Sequence, residues 1–184
     1  MLRHANEHEI IRRAQSGDEE AFESLVILYS PTLFRVVKRM VRDTSEAEAI
    51  VQETFWRTWR SLNRYNNDQP FFPYLATIAL NLVRDRWRKE RWVESDGLGT
   101  DFELAAYPEP EVETLVEEKE VKEDLEDAIH QLPPPYRAVI ALRYQGELDY
   151  EEIAKIMKVP VNTIRTHLHR AKILLRRIIE KKNG

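Results

Sequence analysis

The chain has 184 residues, of which 42% are hydrophobic and 33% are charged, and its formal net charge is −4 at pH 7. This composition can build one ordinary domain or two small ones, and so many charged residues suit exposed helical faces. No apolar run approaches the length of a membrane span, and the first residues lack the apolar stretch of a secretory signal. Cysteine is absent, which excludes disulfides, thiolate metal sites and a cysteine nucleophile. We therefore expect a cytoplasmic protein that does not insert into a membrane.

Charge is distributed unevenly along the chain. Residues 1–95 carry a net charge of +1, residues 96–128 a net charge of −11, and residues 129–184 a net charge of +6. The two ends of the chain can therefore face a polyanion, whereas the middle would repel one.

The N-terminal half predicts helices throughout. The sequence SGD at 16–18 separates a first helix from a second and supplies the N-cap of the second. Apolar residues then recur at three- and four-residue steps, and Pro31 within this run predicts a break or kink. A third helix starts at Thr44, a loop covers residues 63–73, and a last helix runs over residues 74–92.

The C-terminal half begins with a segment that has no periodicity. Glycine, proline and acidic residues accumulate there, which predicts a flexible acidic linker at 96–122. Helical periodicity then resumes and ends in two helices at 149–157 and 163–181, with no strand signal. We therefore predict an all-α protein of two small helical domains, residues 1–95 and 123–184, joined by this linker.

The last two predicted helices have the spacing of a helix-turn-helix. Asp149 can cap the first helix, Asn162 can take a left-handed backbone in the turn, and Thr163 can cap the second helix. The second helix carries an apolar stripe and, opposite to it, a basic and hydrogen-bonding stripe. That stripe consists of Arg165, Thr166, His169, Lys172 and Arg176, with Arg170 at its edge. Such a helix suits the DNA major groove, and a solvated charged face is the alternative interpretation.

Two dispersed sets of motifs resemble the extracytoplasmic-function (ECF) type of bacterial sigma factor. The motifs that resemble its region 4 are LPPPYR (132–137), LRY (142–144), LDYEEIA (148–154) and VPVNTIRTHLHRA (159–171). Those that resemble its region 2 are AQSGDEEAF (14–22), EAE (46–48), VQETF (51–55) and PYLATIALN (73–81). The resemblance covers nearly the whole chain except the linker.

This resemblance implies a dissociable promoter-specificity subunit of RNA polymerase that is a monomer when free. Its partners would be promoter DNA and the clamp and flap elements of core polymerase. The N-terminal domain would open the minus-ten element, the C-terminal domain would read the minus-thirty-five element, and the linker would thread the polymerase's active-site and RNA-exit channel. Regulation in this family often comes from an anti-sigma protein that wedges between the two domains.

The resemblance also assigns site residues. The polymerase contact falls on one helix face with Glu48, Gln52 and Glu53. The minus-thirty-five set comprises Thr163, Arg165, Thr166, His169, Arg170 and Lys172. The minus-ten set, which must hold unstacked bases and their phosphates, comprises Tyr65, Asn66, Asn67, Phe71, Asn81, Arg84, Arg86, Trp87 and Arg88.

Other residues receive ordinary structural assignments. We assign Phe55, Trp56 and Trp59 to the core, and Phe71 can equally anchor the loop to the helical bundle. Relatives often carry arginine where this chain has His167, which predicts the loss of a phosphate contact.

The sequence shows no constellation for catalysis or metal binding. It contains no glycine-rich phosphate loop, serine elbow or paired acidic site. His4 and His8 have the spacing of a helical metal pair but no third ligand nearby. We therefore expect a protein that is not an enzyme and that holds no metal or cofactor.

Two other classes of protein stay open from the residues alone. An autonomous helix-turn-helix regulator would need a stable dimer and two-fold symmetric half-sites. A helical scaffold for other proteins would carry its basic faces incidentally. The aromatic loop at 63–72 disfavours the regulator, because a repressor has no need to capture melted bases.

Overall fold

The computed structural model describes residues 6–94 and 121–183. Within these ranges the chain forms eight α-helices and no strand. The helices are α1 (Glu7–Gln15), α2 (Glu19–Met40), α3 (Thr44–Ser61), α4 (Phe71–Glu94), α5 (Val121–Gln131), α6 (Pro134–Ile140), α7 (Tyr150–Met157) and α8 (Val161–Asn183). A 3-10 turn at Leu62–Arg64 follows α3, and a π-helical turn at Ala141–Gln145 follows α6. The predicted all-α class with two helical domains is confirmed: α1–α4 form the first domain and α5–α8 the second.

Two sequence features fall largely outside these ranges. Almost all of the acidic linker predicted at 96–122 lies outside the described residues, and so does His4 of the predicted histidine pair. No helix in the described part of the chain is long and apolar enough to cross a membrane.

Aspartate side chains start three of the helices. Asp18 and Asp43 each accept a hydrogen bond from a backbone N–H in the first turn, at 3.0 and 2.8 Å. Asp149 accepts one from the Glu152 N–H at 2.8 Å, and the Glu152 carboxylate accepts one from the Asp149 N–H at 3.0 Å. These bonds satisfy donors that the first helical turn leaves without backbone partners. The caps predicted at Asp18 and Asp149 are therefore confirmed.

The helix α2 continues through Pro31, so of the break or kink predicted there the break is wrong, and the kink stays a prediction. Proline removes one N–H donor from the helix. Leu25 and Leu33, on either side of it, are fully buried. Burial of this continuous apolar face stabilises the helix more than one missing backbone hydrogen bond destabilises it.

The loop before α4 is shorter than predicted, because α4 begins at Phe71 and not at Tyr74. Phe71 is fully buried, and its ring centroid lies 5.4 Å from those of both Tyr29 and Tyr65. Phe72 is buried as well. Aromatic packing therefore draws these residues into the first turn of the helix.

The turn between α7 and α8 also differs from the prediction. Lys158 takes the left-handed conformation, with φ 59° and ψ 45°. Because α8 begins at Val161, both Asn162 and Thr163 lie in its first turn, and the turn and cap roles predicted for them are wrong. Pro160 precedes the helix, and its carbonyl accepts a hydrogen bond from the Thr163 N–H at 2.9 Å.

The two domains pack against each other through a continuous apolar core. Helix α2 contacts α5, α6 and the π-helical turn, and α4 packs on α7. Gly146 permits a close approach at this interface, because a Cβ there would stand only 3.2 Å from Phe72 Cε1 and 3.4 Å from Val36 Cγ2. The same Cβ would lie 2.7 Å from the Leu142 carbonyl oxygen, so a side chain at this position would displace the backbone or separate the domains.

The guanidinium of Arg137 connects the domains by hydrogen bonds. Its Nη1 donates to the Met40 carbonyl of the first domain at 3.0 Å. Its Nη2 donates to the carbonyls of His130 and Leu132 at 2.7 and 3.0 Å. The same group lies 5.8 Å from the centre of the buried Trp87 ring. One side chain therefore donates hydrogen bonds to three carbonyls and lies beside one aromatic ring, and these groups belong to both domains.

We expect Arg137→Leu to lower the free energy of unfolding by about 2 kcal/mol or more, because it leaves partly buried carbonyls without donors. Urea denaturation measures this change. Arg177→Leu, at an exposed position on α8, is the matched control, and we expect it to change the free energy by less than about 0.5 kcal/mol. Equal losses in the two variants would contradict the role given to Arg137.

Candidate nucleic-acid interface

The first candidate surface is the exposed face of α8. Ile164, Leu168 and Ala171 are buried beneath it, where α8 packs on α6 and α7. The opposite side of the helix exposes most of the predicted minus-thirty-five set: Arg165, Thr166, His169 and Lys172. Thr163 and Arg170 are half-buried at the edges of this face. The structure thus brings the set together on one accessible surface, and its contact with DNA stays a prediction.

Local contacts orient this face. Arg165 Nη1 donates to Asn162 Oδ1 at 3.3 Å, and Thr166 Oγ1 donates to the Asn162 carbonyl at 3.0 Å. Tyr144, which is 50% exposed, extends the surface, because Lys172 Nζ lies 5.9 Å from the centre of its ring. An exposed tyrosine beside the basic stripe was not predicted.

The second candidate surface is an open cleft between α3 and α4 that encloses about 570 Å³. It is lined by aromatic, cationic and polar side chains: Trp56, Arg57, Arg60, Ser61, Arg64, Tyr74, Ile78 and Asn81. The Arg60 guanidinium lies 4.7 Å from the centre of the Trp56 ring, and Ser61 Oγ lies 2.7 Å from the Tyr74 hydroxyl. Exposed rings beside cations are suited to hold unstacked bases and their phosphates.

Trp56 corrects one assignment made from the sequence. It was placed in the core together with Phe55 and Trp59, but 53% of its surface is exposed, whereas Phe55 is buried. The spacing contained a usable signal, because Trp56 and Arg60 lie four residues apart on the side of α3 opposite its buried residues, and Arg64 follows four residues later in the 3-10 turn. Of the minus-ten set, only Asn81 lines this cleft.

The aromatic members of the predicted minus-ten set lie elsewhere. Phe71 and Tyr65 are buried in the core of the first domain, and Trp87 is buried where the second domain covers α4. None of the three rings can stack on a base in this conformation. The rings that can do so are Trp56 and Tyr74, which the sequence interpretation did not select.

The basic members of that set divide between the domain interface and the surface. Arg84 is half-buried, and its Nη2 donates to the Met157 carbonyl of the second domain at 3.1 Å. Arg86 is exposed, with its Nε 3.5 Å from a carboxylate oxygen of Glu46. Arg88 is exposed and forms an ion pair with Asp85.

The two loop asparagines are engaged in local hydrogen bonds. Asn66 Oδ1 accepts one from the Asp68 N–H at 3.0 Å. Asn67 Nδ2 donates to the His8 carbonyl at 3.0 Å, which ties the loop to α1. Neither residue lines the cleft.

Comparison with known proteins identifies the family. Protein-family models described as Sigma-70 region 2 and Sigma-70, region 4 match residues 25–93 and 122–175. The ECF RNA polymerase sigma factor SigW of Bacillus subtilis (strain 168) is 31% identical over 175 residues, which cover 91% of this chain and 93% of that protein. The chain belongs to the ECF family of RNA polymerase sigma factors. Its members are non-catalytic transcription initiation factors.

Two solved structures share the fold of this sigma factor. CnrH, in complex with the cytosolic domain of CnrY, aligns with a TM-score of 0.68 at 22% identity and covers 95% of this chain and 97% of that one. The sigma factor RpoE, in complex with the anti-sigma factor NepR from Bartonella quintana, aligns with a TM-score of 0.68 at 23% identity. That alignment covers 86% of this chain and 96% of that one.

The predicted polymerase face of the sigma factor lies on α3. Glu48 and Gln52 are exposed one helical turn apart. Glu53 is half-exposed and forms an ion pair with Arg57 of the cleft, with Nε 2.7 Å from Oε1. Two of the three residues therefore present free polar groups next to the cleft, and their contact with polymerase stays a prediction.

His167 lies in the core of the second domain. It is almost fully buried, and its ring meets Tyr136 edge to face at a centroid distance of 5.1 Å. Neither ring nitrogen has a hydrogen-bond partner among the described residues. Burial, and then the nearby Arg170, lower the pKa of His167. This position therefore faces the core of the second domain, and the loss of a phosphate contact relative to proteins with arginine here stays a prediction.

We expect the sigma factor to lose stability as the pH falls below about 6.5, the ordinary pKa of histidine. The unfolded chain binds a proton on His167 near that pH, whereas the folded protein binds it only at lower pH. The free energy of unfolding therefore keeps its full value above this window and falls within it. His130 acts in the same direction, because burial, and then Arg137, Lys38 and Arg42, lower its pKa to about 4.

Urea denaturation at pH 7.5 and 5.5 measures this dependence. We expect His167→Phe to show a smaller loss between the two pH values than the unmodified protein. An identical loss in both proteins would show that His167 does not titrate as the structure implies.

Proposed function

We propose that this sigma factor directs core RNA polymerase to a class of promoters by reading two DNA elements with two separate surfaces. The exposed face of α8 reads the minus-thirty-five element, and the cleft between α3 and α4 holds the unstacked bases of the minus-ten element. The observation that carries the proposal is the cleft itself, in which the exposed Trp56 ring lies beneath Arg60 and beside Tyr74 and Asn81.

Each group in the cleft has a role that its chemistry suits. An unstacked base can stack on Trp56 or Tyr74, and the Asn81 amide, which is exposed, can bond to a base edge. Arg60 and Arg64 supply positive charge for the adjacent phosphates. Because every base has a flat face, the rings provide affinity and the amide provides discrimination.

On α8, the exposed side chains of Arg165, Thr166 and His169 are the ones that we propose reach base edges in the major groove. Arginine can form paired hydrogen bonds to guanine. Thr163, Arg170 and Lys172 flank this group and suit contacts with phosphates, which set the register of the helix on the duplex.

The polymerase interaction rests on Glu48 and Gln52, with Glu53 beside them. Acidic and amide groups on an exposed helix face suit a basic element of the polymerase clamp. We further propose that residues 1–95 act at the clamp and the minus-ten element, and that residues 123–184 act at the flap and the minus-thirty-five element. In this division residues 96–122 are the acidic linker.

The free protein acts as a cytoplasmic monomer that binds and performs no catalysis. CnrH and the Bartonella quintana RpoE were each solved with a second protein, CnrY and the anti-sigma factor NepR. We propose an anti-sigma protein as a partner of this chain as well.

Arg84 and Trp87 belong to the proposed minus-ten set, but the second domain covers them. Arg84 donates to the Met157 carbonyl, and Trp87 lies beside the Arg137 guanidinium. We therefore propose that the second domain moves away from α4 when polymerase and promoter bind. Arg86 and Arg88, which are exposed, can meet phosphates without this movement.

Transcription with cognate core polymerase tests the proposal, on a template library randomised at both promoter elements. We expect the protein to enrich a single class of templates with two separate conserved segments. On a promoter recovered this way, we expect Arg165→Ala to lower transcription about tenfold and to relax the upstream preference. We expect Trp56→Ala to lower it by a similar factor, about tenfold, through loss of base stacking in the downstream segment.

Arg35→Ala, at an exposed position on α2, is the control and is expected to keep full activity. Enrichment of a single palindromic segment without polymerase would favour an autonomous regulator instead. Retention of full activity by both Arg165→Ala and Trp56→Ala would contradict the two proposed surfaces.

A further inference from the structure

The cleft has a wall that is held in place by α1, a helix that does not itself line the cleft. The 3-10 turn Leu62–Arg64 follows α3, and Ser61 and Arg64, at its two ends, both line the cleft. The helix α1 contacts this turn. Helix α1 ends at Gln15, before residues 25–93, which the region 2 model matches.

Gln15 makes the central contact. Its Nε2 donates to the carbonyl of Leu62 at 3.0 Å and to the carbonyl of Tyr65 at 2.8 Å. A primary amide has two N–H donors, so one side chain serves both carbonyls. Leu62 begins the turn and Tyr65 follows its last residue, so the two bonds hold the turn at both ends. Both bonds are partly buried, where a missing donor would leave a carbonyl poorly solvated.

Two further contacts from α1 hold the residues that continue from the turn. The His8 carbonyl accepts a hydrogen bond from Asn67 Nδ2 at 3.0 Å, and His8 Nδ1 lies 3.3 Å from Asn67 Oδ1. Glu7 is buried, and its carboxylate lies close enough to the Tyr29 hydroxyl to raise the pKa of Tyr29, after burial. The Glu7 carboxylate also lies close enough to Tyr65 to contribute to its raised pKa, after burial.

The held turn also fixes an aromatic ring of the cleft. The Tyr65 ring centroid lies 4.8 Å from that of Tyr74, which lines the cleft, and the Tyr65 hydroxyl donates to the Gln69 carbonyl. Tyr74 in turn shares a 2.7 Å hydrogen bond with Ser61. We therefore expect the loss of the Gln15 hydrogen bonds to move Arg64, Ser61 and Tyr74 together.

We propose that Gln15 is a positioning residue for minus-ten recognition: its side-chain amide, from α1, sets the shape of the cleft wall that carries Ser61, Arg64 and Tyr74. The inference rests on the function proposed above for the cleft. Gln15 does not line the cleft, so it acts through the turn and not through contact with DNA.

Three substitutions at Gln15 distinguish the effect of its N–H donors from the effect of its side-chain size. Gln15→Met keeps the length and removes both donors. Gln15→Asn keeps the amide but is one methylene shorter, so it cannot reach both carbonyls. Gln15→Lys keeps donors that can reach the turn. Gln131→Met, at an exposed position on α5 in the second domain, is the matched control.

The measurement uses full-length protein, cognate core polymerase and the promoter recovered from the randomised library. The readout is the ratio of open-complex formation on that promoter to formation on a version with one substituted minus-ten base. Binding to core polymerase and the upstream sequence preference are measured in parallel, as is thermal unfolding.

We expect Gln15→Met and Gln15→Asn to lower the minus-ten discrimination ratio about fivefold, because two hydrogen bonds that hold the wall are lost or weakened. We expect polymerase binding and the upstream preference to stay unchanged. Gln15→Lys and Gln131→Met are expected to keep the ratio of the unmodified protein. If Gln15→Met does not fold, the discrimination ratio of the milder variant Gln15→Asn provides the test.

An unchanged ratio in folded Gln15→Met or Gln15→Asn, with only a lower unfolding temperature, would overturn the inference and leave Gln15 a structural residue. An equal loss of polymerase binding would overturn it as well. If the unmodified protein starts no promoter-specific transcription at all, the proposed function fails. If the unmodified protein discriminates and the variants discriminate equally, only the role of Gln15 fails.

Discussion

The guanidinium of Arg137 is the interaction on which the arrangement of the two domains depends. It donates to Met40 of the first domain and to His130 and Leu132 of its own domain, and it lies beside the Trp87 ring. The apolar faces of α2 and α4 pack against the second domain, and Gly146 allows that domain to approach Val36 and Phe72 closely. A partly buried arginine tolerates this environment because carbonyl oxygens accept from both of its terminal nitrogens.

This packing decides which surfaces are available to partners. The inner faces of α2, α4 and α7 are occupied by the domain interface. The faces that point away from it are the front of α8, the cleft around Trp56, and the side of α3 that carries Glu48 and Gln52. The proposed DNA and polymerase surfaces therefore use different residues of one small chain. Arg84 and Trp87 are the members of the proposed minus-ten set that the domain interface occupies, and in the proposed mechanism they link promoter binding to the position of the second domain.

The sequence predicts local features of this fold well, because local chemistry determines them. The caps at Asp18 and Asp149 and the buried stripe of α8 depend on residues a few positions apart, and the structure confirms them. The break predicted at Pro31 is wrong, because the packing of α2 on the five helices α1, α3, α4, α5 and α6 lies outside any local window.

The candidate site was harder to predict, for a physical reason. Phe55, Trp56 and Trp59 are aromatic and adjacent on α3, and composition does not say which of them faces outward. The structure buries Phe55 and exposes Trp56, while Phe71 goes to the core. The contact between Arg84 and Met157 joins residues 73 positions apart, and no pattern within either segment encodes it. Family resemblance indicates the regions that we propose to contact DNA, but only coordinates show which rings are accessible.

The central claim is that one protein reads a duplex segment with α8 and holds a melted segment in the α3–α4 cleft. Footprinting of the complex of this sigma factor, core polymerase and a recovered promoter tests it most directly, with nuclease protection and permanganate reactivity of thymines read at single-nucleotide resolution. We expect two protected segments, with reactive thymines confined to the downstream one. A single protected segment, or protection without any reactive thymine, would contradict it.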